Sequence, residues 1–319
     1  IEVILRTPRT EPLLPGWLPP RLVIPAARAY KVGFAFDADG GGRVVLARCE
    51  QHDILAAVRT IDGPWRKPRR LPDTINTAGR EEYPVVSFSP NGTIWFAYLS
   101  VGPVKYKIFV TRSRDGKDWE MPRVAASSKH RPDRILFKAL RDDRAVIIWR
   151  LSKYRQSAQV GEALYATTVP RSGAASTATI SRSKVQNYST VRFLPASNGV
   201  WHVSAGRRIF SSRDEGKTWK ATGTITGGVP HYPHVLGLLE PTPGTYWVVM
   251  ISRQGPLRYG LFQSTDLVHT RKLLEFPERL KAFTLMKRGE HFWVIAANGF
   301  TRTIKPSLPF LTRGGGKRP

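Results

Sequence analysis

Ser212-Arg213-Asp214-Glu215-Gly216-Lys217-Thr218-Trp219 is the stretch that decides the fold, because each of its key residues has a task in one kind of tight turn. The Asp carboxylate accepts main-chain N–H bonds, Gly supplies a permissive backbone, and Trp packs beneath the hairpin. The pattern recurs, one residue shorter, as Ser113-Arg114-Asp115-Gly116-Lys117-Asp118-Trp119, and more weakly as Thr60-Ile61-Asp62-Gly63-Pro64-Trp65. Ser264-Thr265-Asp266 retains only its first half. Ser113, Asp115, Gly116, Trp119, Ser212, Asp214, Gly216 and Trp219, with Asp62, Gly63 and Trp65, are therefore expected to serve folding rather than chemistry.

Around these turns a larger unit repeats. An alternating apolar strand is followed by a turn, a second strand with an aromatic residue, and a third strand. The first two strands are expected at Lys31 to Phe36 with Arg43 to Arg48, Pro84 to Phe88 with Thr93 to Tyr98, and Arg134 to Leu140 with Ala145 to Arg150. They continue at Ser189 to Leu194 with Gly199 to Ser204, His234 to Leu239 with Thr245 to Met250, and Leu280 to Met286 with His291 to Ala296. Asn91-Gly92, Asn198-Gly199 and Pro243-Gly244 mark hairpins between such pairs. Trp201, Trp247 and Trp293 follow one another at intervals of 46 residues, and Trp95 stands 106 before Trp201, or two periods of 53. Four short strands occupy about that length. No segment shows a helical period.

These motifs resemble the Asp boxes of the sialidase-like superfamily, whose pattern S-x-D-x-G-x-T-W is complete at Ser212 to Trp219. The resemblance spans roughly Tyr30 to Lys305. It implies an all-β fold, a six-bladed β-propeller of four-stranded antiparallel blades with the ring closed by an N-terminal strand. It also implies that the boxes lie between third and fourth strands, away from the central pocket. The expected organisation is residues 1–29 as closing strand and Pro-rich linker, 30–310 as the propeller and 311–319 as a flexible basic tail. Glu2 to Leu5 is the candidate closing strand.

Fifty Lys and Arg against 24 Asp and Glu give a net charge of +26, which sets a strong positive field around the protein. Acidic proteins, a membrane-bound complex or an acidic carbohydrate are the partners this charge suits. Nucleic acid fits less well: Arg66-Lys67-Pro68-Arg69-Arg70 is a basic run, but no nucleic-acid-binding module is visible. Cys49 is the single cysteine, so no intrachain disulfide can form. The sequence starts at Ile1 and holds no apolar run long enough to span a bilayer, and an extracytoplasmic location, periplasmic or secreted, is expected. His231 and His234 flank Tyr232-Pro233 without a third ligand at a recognisable spacing, so neither a metal nor another cofactor is expected.

Resemblance to sialidases implies an arginine triad for the substrate carboxylate, a Tyr nucleophile activated by Glu, and an Asp acid/base. It also implies a Phe-Arg-Ile-Pro-like motif, from which Arg21-Leu22-Val23-Ile24-Pro25 departs by an extra residue and a missing aromatic. Arg48 and Arg150 share a place at the ends of second strands, and Arg253 lies just past it. Tyr83, Tyr188 and Tyr232 each precede a first strand. These six residues are the candidate axial binding set, with Glu50, Glu81, Glu82 and Glu162 as carboxyl groups that could face them. With strong boxes, abundant Arg and no complete catalytic set, the sequence favours a non-catalytic scaffold docking through its basic surface. The alternative is an exo-glycosidase or lyase acting on an acidic carbohydrate.

Overall fold

The computed structural model describes residues 34–38, 43–60, 68–155, 158–183, 190–226, 234–252, 258–276, 283–288, 291–296 and 301–304. They form 23 strands in six successive antiparallel sheets, with no helix among them. The first sheet contains β1 (Phe34–Ala38), β2 (Arg43–Glu50), β3 (Asp53–Thr60) and β4 (Arg69–Arg70). The second contains β5 (Arg80–Phe88), β6 (Ile94–Val101), β7 (Tyr106–Ser113) and β8 (Arg123–Ser128). In the third are β9 (Pro132–Ala139), β10 (Ala145–Arg155), β11 (Ala158–Val169) and β12 (Ser176–Ser183). In the fourth are β13 (Val191–Pro195), β14 (Trp201–Ala205), β15 (Arg208–Ser212) and β16 (Lys220–Thr224). The fifth comprises β17 (His234–Thr242), β18 (Thr245–Ser252), β19 (Arg258–Ser264) and β20 (Arg271–Phe276), and the sixth β21 (Phe283–Arg288), β22 (His291–Ala296) and β23 (Thr301–Ile304).

Every sheet is a meander in which chain neighbours pair. The first strands then pack on one another in chain order, β1 on β5, β5 on β9, β9 on β13, β13 on β17 and β17 on β21. Sheets that share an inner row of strands and meet face to face form a β-propeller. Each seam between sheets is apolar. Trp95, Ala97 and Leu99 of the second sheet meet Ile135, Ile147 and Trp149 of the third, and Val146, Ile148 and Leu164 of the third meet Val191, Trp201 and Val203 of the fourth. Strand alternation explains this: both faces of an interior sheet are buried, so its central strands are apolar on both sides. The proposed closing strand, the Pro-rich segment, the basic tail and the Asp62 turn lie outside the described residues.

The Ser-x-Asp turns fall between third and fourth strands. Asp115 accepts N–H bonds from Lys117 at 2.8 Å and Asp118 at 3.0 Å, and Asp214 accepts the Thr218 N–H at 2.8 Å and its hydroxyl at 2.6 Å. The Trp219 indole N–H closes the second of these turns on the Gly216 carbonyl at 3.0 Å. Gly216 has φ of +84°, and a Cβ there would stand 2.7 Å from the Trp201 ring, so both backbone and space require glycine.

The fifth sheet builds the same turn from a sequence that keeps only Ser264 and Asp266 of the pattern. Asp266 accepts from the N–H groups of Val268 and His269, each at 2.8 Å, and from the His269 ring at 2.6 Å. Leu267 takes the left-handed backbone with φ of 63° and is fully buried. His269 thus replaces the Thr partner, and burial of Leu267 offsets the strain that Gly would avoid.

Candidate functional site

The inner strands all begin at one end of the propeller, the mouth, and the Ser-x-Asp turns lie at the other. Among the described residues the mouth is built largely by the starts of β5, β9 and β13 and by the long hairpin of β10 and β11.

β5 carries an irregularity that sets its polar groups. Glu82 pairs with Leu99 and Val85 with Ala97, so Tyr83 and Pro84 together face one residue, Tyr98. This is a β-bulge, a place where a strand tolerates a proline lacking an N–H. Tyr83 has φ of 49°, an uncommon conformation for a bulky residue. Below the bulge, Val85 packs towards the third sheet and Val86 towards the first. Unbroken alternation would turn Glu82 towards the first sheet with Val86. The extra residue places Glu82 on the same side as Tyr83, and both meet Arg131, the residue just before β9. The Arg131 guanidinium ion-pairs with Glu82 and lies over the Tyr83 ring, 5.5 Å from its centroid. Arg80 binds the other Glu82 oxygen. Glu82 is 2% exposed, whereas Arg80 and Arg131 are 49% and 42% exposed and present a cationic rim to solvent.

Glu81 faces the opposite seam. One carboxyl oxygen accepts the Thr77 hydroxyl at 2.6 Å, and the other is buried with no partner among the described residues. Burial pushes its pKa upward, against the Thr77 hydrogen bonds. Cys49 donates to the Glu81 carbonyl at 3.1 Å and is itself pushed up by burial, which keeps the thiol protonated.

In the third sheet Arg150 grips Asp133 with two parallel bonds, Nε to Oδ1 at 2.7 Å and Nη2 to Oδ2 at 2.9 Å, and its Nη1 lies 3.6 Å from Glu162. Ser152 donates to the same Asp133 oxygen. Arg150 is thereby held by carboxylates of its own sheet. In the fourth sheet Arg192 is different. Its Nε donates to the Leu236 carbonyl across the seam and its Nη1 to the Val191 carbonyl at 2.6 Å, and no carboxylate of the described residues pairs with it. Burial, reinforced by the charge of Arg134, pulls its pKa down to about 10.

Of the residues expected from sequence, Tyr83 and Arg150 are placed at the mouth, with Glu81, Glu82 and Glu162. Glu50 ends β2 at the same end and is exposed. The side chain of Arg48, and Arg253, Tyr188 and Tyr232 altogether, lie outside the described residues. Arg131, Asp133, Arg134 and Arg192 were not singled out by sequence. Only Pro84, directly after Tyr83 inside a strand, signals the bulge that joins them. Arg69 and Arg70 of the basic run form β4, where Arg70 pairs with Asp53 at 2.7 Å and with Asp73, a structural use of that charge.

A cleft of about 840 Å³ also opens at the far end, lined in part by Arg43, Arg112, Arg171, Asp115, Glu120 and Asp143. Its cations are largely answered within it: Arg112 pairs with Glu120 at 2.7 Å, and Asp143 lies 3.5 Å from Arg112 and 3.7 Å from Arg171. At the mouth, by contrast, Arg192 is bound by main-chain carbonyls and by no carboxylate of the described residues.

The fold is shared with carbohydrate-cleaving enzymes. The α-L-arabinanase of Penicillium chrysogenum, solved with arabinobiose, matches with a TM-score of 0.58 and 13% identity over 91% of this chain and 98% of its own. The α-L-arabinofuranosidase Arb93A of Fusarium graminearum matches with a TM-score of 0.58 and 13% identity over 86% and 93%. A polysaccharide lyase, an ulvan lyase bound to -[GlcA(1-4)Rha3S]-, matches with a TM-score of 0.53 and 10% identity over 85% and 78%. No protein-family profile and no curated protein matches the sequence. These three enzymes cut glycans, so the likenesses speak against the expected non-catalytic scaffold and for its alternative, a glycosidase or lyase. Among the described residues no helix is long and apolar enough to cross a membrane.

Proposed function

We propose that the chain is a glycan-cleaving enzyme, a lyase or glycosidase of the sialidase-like propeller kind, that works on an acidic carbohydrate outside the cytoplasm and binds it at the mouth. The observation carrying this reading is the bulge at Tyr83 and Pro84, which gathers a phenol, a buried carboxylate and two solvent-facing guanidinium groups at one point.

Elimination suits that group best. A uronate carboxylate docked on the exposed faces of Arg80 and Arg131 has its charge neutralised, which acidifies the adjacent C5–H. The Tyr83 oxygen takes that proton as base, the C4–O bond breaks, and a C4=C5 double bond forms. The proton then returns to the departing oxygen. Glu82, held between Arg80 and Arg131, fixes the two cations rather than reacting. A second reading rests on Asp133, whose side chain is 30% exposed: hydrolysis would pair this carboxylate with a proton donor across the mouth.

Incubation with a uronate polymer and with arabinan, followed by reducing-end and ultraviolet assays, separates the two. Elimination yields an ultraviolet-absorbing unsaturated product that Tyr83→Phe abolishes. Hydrolysis yields reducing ends alone, sensitive to Asp133→Asn. No product from the uronate polymer overturns the proposal, whatever arabinan gives.

A further inference from the structure

Arg192 stands out because a partly buried guanidinium without a carboxylate is costly to keep. Its Nε and Nη1 are used by main-chain carbonyls, which leaves Nη2 with no hydrogen-bond partner among the described residues. Arg134, near the start of β9, is exposed and forms no ion pair among the described residues, and its charge acts on Arg192. Thr190, two residues before Arg192, continues the strand ladder through the Gly206 N–H, and its own hydroxyl oxygen is buried with no partner among the described residues. Repulsion between the two arginines and the unused donors would all be relieved by one bound oxyanion.

We propose that Arg192 and Arg134 seat an anionic group of the substrate, a carboxylate or a sulfate ester, at the seams joining the third, fourth and fifth sheets. This rests on the glycan-cleaving reading and deepens it: the seat lies one sheet beyond the Tyr83 cluster, so it holds a charge on a neighbouring sugar unit. A polymer charged at successive residues meets both sites, whereas a neutral arabinan meets neither. Arg150, the arginine of the sequence expectation at this end, is held by Asp133 and Glu162 and takes no part.

Titration calorimetry of the purified chain tests the seat without requiring turnover. The probes are glucuronic acid, rhamnose 3-sulfate and neutral rhamnose, at low and high salt. One or both acidic sugars should bind, and neutral rhamnose should not. Arg192→Gln and Arg134→Gln should each weaken that binding about tenfold or more, with loss of the salt dependence. Which acidic sugar responds identifies the carboxylate or the sulfate as the group recognised. Arg134→Gln serves as the informative variant should Arg192→Gln unfold, because Arg134 is exposed. Equal affinity of wild type and the folded variants, or equal binding of neutral rhamnose, overturns the seat. Cleavage assays on the same preparations keep the two readings apart: binding that Arg192→Gln and Arg134→Gln weaken, without any cleavage, removes the enzyme and leaves the seat, and cleavage of a uronate polymer with binding unaltered in both variants does the reverse.

Discussion

Arg150 and Asp133 form a two-pronged ion pair across neighbouring strands, with bonds of 2.7 and 2.9 Å, and the pair fixes the start of β9 against the long hairpin behind it. Arg150 is 11% exposed and Asp133 30% exposed, so the pair is screened far less than one on the surface. Replacing Arg150 by Ala removes the cation that holds Asp133 with two bonds. The expected loss is about 2–3 kcal/mol of folding stability, below the full penalty for a wholly buried pair because Asp133 touches solvent. Urea unfolding of Arg150→Ala checks it, and an unchanged midpoint would show that the pair contributes nothing.

Glu81 should make stability fall as pH rises. Its pKa is raised by burial in the folded protein, so the carboxyl prefers its proton there and ionising it opposes folding. The contribution is present below the ordinary glutamate value and is lost as pH climbs through the raised folded value. Glu81→Gln keeps an acceptor for Thr77 and removes the titration. It should raise Tm at pH 7 and lose that advantage at pH 4, which thermal melts across this range would reveal.

Asp214 should behave in the opposite sense. Its hydrogen bonds with Thr218 and Ser212 hold its pKa down to about 2. The stabilisation is therefore complete above the usual aspartate range and disappears as pH drops through about 2. Asp214→Asn should lower Tm at neutral pH, and the gap from wild type should close between pH 4 and pH 2. Cleavage activity of the folded variant should be unchanged, since the turn lies at the end away from the mouth.

Leu267 sets two effects against each other. Leu267→Gly removes left-handed strain worth about 1 kcal/mol but empties a fully buried site whose loss is worth roughly 3–5 kcal/mol. Net destabilisation of about 2–4 kcal/mol is expected by chemical denaturation. A stabilised variant would mean that backbone strain outweighs packing here.

The sequence was most informative where local chemistry alone dictates structure. Asn91-Gly92 and Asn198-Gly199 make hairpins because their glycines take φ of +81° in each case, and the Ser212 turn follows from its own eight residues. The fifth-sheet turn was only half visible, because burial of Leu267 and the reach of His269 are tertiary facts. At the mouth, Tyr83 and Arg150 were named for their positions in the repeat. What they touch depends on Arg131 and Asp133, which lie some 50 and 17 residues away. Arg192 had no signal, since an arginine in an arginine-rich chain becomes unusual only when its surroundings are known to lack a carboxylate.

The extra residue in β5 divides that strand into two reading phases. Below it, side chains keep the alternation that the apolar seams demand. Above it, the faces are exchanged, so the polar tip is addressed independently of the packed stem. Residues 80–82 are thereby released from the pattern that builds the core, and the chemistry of the mouth can be altered there without rewriting the apolar sequence that holds the second sheet between its neighbours.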